Sequence, residues 1–275
     1  MKHKFSLTMT SILLLTSCNL NNNSNEKLKG FDIDLAKATC QELGLEANFQ
    51  EIIWEQKETE LSAKKIDLIW NGLTITNERK ESLAISLPYM ANTQVMIVKN
   101  SFNDTNIDSN DKYKVAFEDG SAGQDTFNNN SMFSSCTGIP LSSQATTLTE
   151  VLSGTSDIAI IDSVMANYYL KENSSYKSKL KILTDYDFDD EFYGVAGRKE
   201  DVYLIAKINE ALDTLYTNET IKNIANTYGL ENDLVKIEDY TKANEINDKG
   251  SWDNIVTSGK ITIGYTIFAP IAFEG

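Results

Sequence analysis

The chain has 275 residues, 41% of them hydrophobic, enough for one large domain or two lobes around a substantial core. Its formal charge of −15, from 25 basic and 40 acidic residues, lacks the basic footprint that nucleic-acid binding needs. The acidic residues are scattered, as on a solvated surface, and do not cluster as metal ligands would.

Met1 to Cys18 reads as a leader. Lys2, His3 and Lys4 give it a charged start, and Phe5 to Leu15 is an apolar run too short for a stable membrane anchor. It ends Leu15-Thr16-Ser17-Cys18, and the stretch 19–27 that follows is Asn- and Ser-rich, a flexible tether. The only histidine is His3, so a processed chain has none. That excludes Ser-His-Asp and Cys-His catalysis and nearly every catalytic zinc arrangement. Cys40 and Cys136 show no C-x-x-C spacing and read as buried free thiols.

Phe31 to Gly44 is predicted as an amphipathic helix stopped by its glycine. Ala47 to Ile53 reads as a strand, Gln56 to Lys65 as a helix and Ile66 to Trp70 as a buried strand, the order of a parallel sheet. The stretch Ile66 to Arg79, IDLIWNGLTITNER, organises the rest. Asn71 and Gly72 break its apolar run, Thr74 and Thr76 present hydroxyls, and Thr76 has the spacing of an N-cap three residues before Arg79. Hydroxyls, free amides and a guanidinium at one strand end suit a carboxylate. A capped turn with a surface arginine fits the same spacing.

A second strand–helix–strand unit is predicted between about Gln94 and Asp190. Lys114 to Phe117 runs into Glu118-Asp119-Gly120-Ser121-Ala122-Gly123, small residues that let backbone amides approach a ligand at a helix start. Thr147 to Leu152 is a helix, Asp157 to Ile161 a buried strand ending at Asp162, and Ser163 to Glu172 another helix. Phe192 to Ala196 is a strand, and Glu200 to Tyr216 and Glu219 to Tyr228 are helices. Asp239 to Lys249 is loop-like, Ser251 caps a short helix stopped by Gly259, and Lys260 to Thr266 alternates as a strand. Several strands thus end in polar or glycine-bearing positions, where open α/β sheets bind their ligands.

The combination of GFDIDLAKA (30–38), KKIDLIWNGLTITNERK (64–80), SLPYM (86–90), DGSAGQD (119–125), DIAIIDS (157–163) and YGVAGRK (193–199) resembles the type II periplasmic solute-binding proteins, specifically the polar amino-acid-binding family of ABC transporters. The resemblance implies an α/β, two-lobed Venus-flytrap fold. Ser251 to Gly275 looks like the segment that opens mature proteins of the family, yet here it comes last. The order is that of a circular permutant, with 28–92 and 193–275 forming lobe 1, its first strand supplied by 260–266, and 93–192 forming lobe 2. The alternative is that the tail begins a second, truncated copy. The Leu15 to Cys18 end resembles a lipobox, which implies a lipid on Cys18 and an extracytoplasmic, membrane-anchored monomer that serves a permease. No cofactor or metal is implied.

By the same resemblance Arg79 holds the α-carboxylate of a free amino acid, with Gly72 and Thr74 adding a backbone N–H and a hydroxyl. Ser121, Ala122 and Gly123 contribute from the other lobe. Asp162 pairs with the α-ammonium, helped by the Gly72 carbonyl; a helix N-cap is its other reading. Trp54 and Phe268 sandwich the ligand side chain, and Trp70 and Asn71 sit where the family varies with ligand, although all three aromatics also suit a core. No acidic residue is assigned to the side-chain pocket, so the expected ligand is a neutral polar amino acid. Lobe closure is expected around Ala91–Thr93 and Asp190–Glu191. The resemblance leaves one enzymatic alternative, a cyclohexadienyl (prephenate or arogenate) dehydratase on the same fold.

Overall fold

The computed structural model describes residues 27–103, 107, 112–172 and 174–275; the leader, its Cys18 and the tether up to residue 26 lie outside the described residues. β1 (Leu28–Lys29) leads through Gly30 into α1 (Phe31–Glu42), β2 (Glu46–Glu51), α2 (Lys57–Ser62) and β3 (Leu68–Thr74). α3 (Asn77–Ser82), β4 (Leu83–Ile85) and β5 (Met90–Lys99) follow. The middle of the chain forms β6 (Lys114–Glu118), α4 (Ala122–Asn129), β7 (Thr137–Leu141), α5 (Gln144–Ser153), β8 (Ile158–Asp162), α6 (Ser163–Glu172), α7 (Ser174–Lys177) and β9 (Leu180–Leu183). The last part forms β10 (Asp190–Arg198), α8 (Val202–Thr217), α9 (Thr220–Tyr228), α10 (Trp252–Ser258), β11 (Lys260–Tyr265) and β12 (Phe273–Glu274).

Among the described residues the main sheet has the order β2-β11-β3-β10-β5-β8-β6-β7, with β4 on β10 and β9 on β5. β11 pairs in parallel with β2 from Lys260↔Glu46 to Tyr265↔Glu51, and with β3 at Ile263↔Leu68. β6 pairs in parallel with β7 and β8. The two parallel groups are joined by β5 and β10, which run antiparallel to each other over Asp190↔Thr93 to Tyr193↔Met90. One apolar core runs from α1, α8 and the first parallel group on into α5, β8 and α6 of the second, where Met96, Val98, Val115, Phe133, Ile158 and Ile160 pack a further cluster.

The end of the chain is built into its beginning. The first amides of α1 donate to carbonyls of the C-terminal segment, Phe31 N to Pro270 O at 2.9 Å and Asp32 N to Ile271 O at 3.0 Å. They satisfy donors that a helix start leaves open. Gly30, at φ 135°, must be glycine, because a Cβ there would lie 2.2 Å from the Ile271 carbonyl oxygen. β1 and β12 form a short antiparallel ladder, and Gly275 N donates to Lys27 O at 2.9 Å.

Four local expectations are corrected. Asn71 and Gly72 do not end their strand: β3 continues through Thr74 and is buried along its whole length. Ser251 precedes α10 but makes no side-chain cap bond; its amide donates to Asp201 instead, at 2.9 Å. Cys40 is buried, whereas Cys136 is only half-buried. The sequence pattern missed β7, whose Thr137, Gly138 and Pro140 hide its strand character.

Because β11 fills the space between β2 and β3, deleting Ser251–Gly275 is expected to abolish cooperative thermal unfolding followed by circular dichroism. The fully buried Ile263 tests the same packing: Ile263→Ala costs about 3 kcal/mol in chemical denaturation, and a loss below about 1 kcal/mol contradicts the placement.

Candidate functional site

The carboxyl ends of β3, β6, β8 and β11 converge on one small cavity, lined by Trp54, Asn71, Gly72, Thr74, Arg79, Glu118, Ser121, Ala122, Gln144, Asp162, Thr266 and Phe268. Local capping explains some of these placements, and close packing explains others. Thr76 caps α3 by accepting from Arg79 N at 3.1 Å, as its spacing predicts, and this fixes Arg79 in the first turn. Ser121 caps α4 in the same way, accepting from Gln124 N at 3.3 Å, and Ala122 opens that helix at the cavity wall. Gly72, at φ 61°, tolerates no side chain, since a Cβ there would lie 2.7 Å from the Phe268 ring.

Arg79 is 8% exposed. It donates to the Thr74 carbonyl at 2.7 Å and to the Gly120 carbonyl at 3.5 Å. Among the described residues it forms no ion pair, although Asp125, Glu58 and Glu191 act on it from further away. A guanidinium carries five N–H groups, so donors remain for an incoming anion.

Asp162 is 4% exposed and lies in the opposite half of the sheet. Its oxygens accept from the side-chain amides of Asn92, Gln94 and Gln144, the Gln94 bond measuring 2.9 Å. Among the described residues it makes no bond to the first turn of α6, so the helix-cap reading does not describe it. The Tyr193 hydroxyl acts on the same carboxylate, so every group that holds Asp162 is a neutral donor. Asn92 and Gln94 also donate to Glu191, at 3.1 and 3.0 Å, and Thr74 Oγ1 does so at 3.2 Å. Burial raises the Asp162 carboxyl and pushes Glu191 up to about 7. Burial, with the neighbouring Asp162 charge, pushes Glu118 up to about 8. The cavity is therefore rich in acceptors whose ionised forms need a cation.

Two further contacts join the halves across the cleft. Lys57, beside Trp54, donates to Gly120 O at 2.9 Å, and its ammonium sits 4.9 Å over the Trp54 ring. Gly120 also approaches Glu55 closely enough that a Cβ would lie 3.0 Å from its Cα.

The family model for bacterial extracellular solute-binding proteins, family 3, matches residues 17–231. The chain belongs to this family. Among its relatives, ABC transporter arginine-binding protein 1 of Escherichia coli K12 is 26% identical over 205 residues, covering 74% of this chain and 83% of the relative. A solved ABC uptake transporter substrate-binding protein from Streptococcus pneumoniae, with bound histidine, is 34% identical with a TM-score of 0.68, covering 75% of this chain and 85% of that one. An ancestral amino-acid-binding protein described as a precursor of cyclohexadienyl dehydratase is 30% identical with a TM-score of 0.64, covering 72% of this chain and 84% of that one. The solute-binding protein thus has the two-lobed periplasmic binding fold, and its relatives are transport proteins rather than enzymes.

Nine of the residues singled out from sequence line the cavity: Trp54, Asn71, Gly72, Thr74, Arg79, Ser121, Ala122, Asp162 and Phe268. Trp70 does not. It is fully buried in the core, its ring centroid 6.3 Å from that of Tyr89, because side chains alternate along β3 and its turn falls inward. Gly123 also lies behind the wall, where a Cβ would come within 3.0 Å of the Ile160 carbonyl oxygen. The Gly72 N–H is already taken by the buried Asp32 carboxylate at 2.7 Å, which leaves only its carbonyl for a ligand. Sequence reasoning missed Glu118, Gln144 and Thr266 as cavity residues, and Asn92 and Gln94 behind Asp162. The polar alternation Asn92, Gln94 in an otherwise apolar strand was the available signal. Among the described residues no His/Cys/Asp/Glu cluster fits a metal ion, and no helix is long and apolar enough to cross a membrane.

The raised Glu118 carboxyl has a consequence for stability. An acid that keeps its proton up to about 8 when folded, against an ordinary 4.5, loses folding free energy as pH rises from about 4.5 to about 8. Glu118→Gln is therefore expected to raise the melting temperature of the ligand-free protein by at least about 3 °C more at pH 8 than at pH 4.5. Equal effects of the substitution at the two pH values, read by scanning calorimetry, contradict the buried environment.

Proposed function

We propose that the protein binds a free amino acid between its two lobes and delivers it, outside the cytoplasm, to the permease of an ABC transporter. The observation that carries this reading is the pair of buried opposite charges, Arg79 with no acid and Asp162 with no cation paired to it among the described residues, facing one cavity from different halves of the sheet. A zwitterion supplies a carboxylate for the first and an ammonium for the second. Thr74, Ser121 and Ala122 assist at the carboxylate, the Gly72 carbonyl assists at the ammonium, and Trp54 and Phe268 hold the side chain between them. Asn71 lies beside them and helps to choose it.

Lobe 1 comprises residues 28–92 and 193–275, and lobe 2 residues 93–192, closing about β5 and β10. The arrangement is a circular permutation of the family order. The interior position of β11 supports this, as does a family match that stops at residue 231 and leaves the last segment outside it. Cys18 carries a lipid that tethers the monomer to the membrane. The neutral side chain expected from sequence rested on the lack of an acid in the pocket, and Glu118 in the cavity wall removes that ground. Relatives that bind arginine and histidine point the same way.

A thermal-shift panel of the twenty amino acids plus cystine tests the reading. A ligand at a hundred times its dissociation constant adds about 2.7 kcal/mol of stability, and the gain vanishes in Arg79→Ala and in Asp162→Ala. A sharp melting transition that no amino acid moves would refute it. A cyclohexadienyl acid assayed for product would then come next.

A further inference from the structure

We propose that the ligand is an amino acid whose side chain is positively charged, and that Glu118 is the residue that selects it; this rests on the amino-acid reading above. A zwitterion uses Arg79 and Asp162 and balances them both. Glu118 remains, a third ionisable group in the same cavity wall, only 5% exposed. It ends β6 immediately before the turn that leads into α4, so its position is fixed by the sheet at one end and the capped helix at the other.

Its surroundings do not neutralise it. Lys57 is the nearest cation to act on it, but that ammonium is held by the Gly120 carbonyl at 2.9 Å and the Trp54 carbonyl at 3.4 Å. Among the described residues no ion pair joins Lys57 to Glu118. Gln144, which reaches Glu118, spends its amide donor on Asp162 as well. The other polar groups of the cavity add acceptors. Asn71 gives its amide donor to Thr266 Oγ1 at 3.1 Å, and its own Oδ1 is buried with no partner. Glu118 and Asn71 Oδ1 therefore ask for N–H donors, and the Trp54 and Phe268 rings line the same cavity. A guanidinium, ammonium or imidazolium meets all of these. A neutral side chain leaves Glu118 with Gln144 and no cation to balance its ionised form, and an acidic one puts a like charge beside it, which is costly.

The test measures dissociation constants by isothermal titration calorimetry for L-arginine, L-lysine, L-ornithine and L-histidine against L-citrulline and L-glutamine. Wild type and Glu118→Gln are compared. In the wild type one of the four cations binds most tightly, by about tenfold or more over citrulline and glutamine. Glu118→Gln weakens that cation by about 10- to 100-fold and changes the neutral ligands by less than about threefold. A neutral ligand that binds the wild type as tightly as the best cation overturns the inference and leaves the amino-acid reading standing. An unchanged cation-to-neutral ratio in Glu118→Gln removes Glu118 as the selector and overturns it too. If no amino acid binds the wild type at all, both readings fall together. The wild-type comparison decides the ligand class even if the variant does not fold.

Discussion

Strand β11 fills the gap between β2 and β3, and the chain leaving it closes the N-terminus of α1 with the carbonyls of Pro270 and Ile271. The site depends on that one insertion. It brings Thr266 and Phe268 to the end of β3, and it sets the Phe268 ring against the backbone of Gly72 so closely that only glycine fits. Asp32, at the start of the same helix, holds the Gly72 amide at 2.7 Å and accepts from Tyr89 Oη at 2.8 Å. Helix, strand and returning tail are thus locked together by buried hydrogen bonds, whose loss leaves unpaired groups away from water.

On this rigid frame the protein gathers charges that water would otherwise solvate. Arg79, Asp162, Glu118 and Lys57 are all nearly buried, and Glu191 is held by the same amides that hold Asp162. Burying so many ionisable groups is unfavourable by itself. Part of the cost is met by side-chain amides: Asn92 and Gln94 each serve two carboxylates from one strand, which also keeps the strand joining the lobes in register with its neighbours. The remainder appears as raised carboxyl pKa values, because burial disfavours the charged form.

Lys57 and Gly120 show how the two lobes meet. The contact is a single ammonium on a single carbonyl, supported by the Trp54 ring, with a second, longer bond from Arg79 to the same oxygen. Burial and the Arg79 charge push the Lys57 ammonium down to about 8. A contact of this kind is specific in geometry and modest in strength.

The local chemistry was legible in the chain. Thr76 and Arg79, Ser121 and the small residues after it, and Asp162 at the end of an apolar run are short-range signals, because capping and strand termination act over three or four residues. The parallel strand order followed from the alternation of helices and strands, and the mixed antiparallel joining by β5 and β10 did not. Trp70 and Asn71 were not separable by pattern, since neighbours on a strand face opposite sides and only the packing of Tyr89 against β3 decides which side is core. In the sequence Glu118 reads only as the start of the small-residue stretch after Phe117, with no role of its own. It shares one cavity wall with Trp54, Gln144 and Asp162, residues far away in the chain that only the assembled sheet brings together. The sequence alone determined the family-like segments, the capped turns and the charges available. The tertiary structure decided which of those charges lie buried together, because burial is a property of what packs around a residue and not of the residue's own neighbours in the chain.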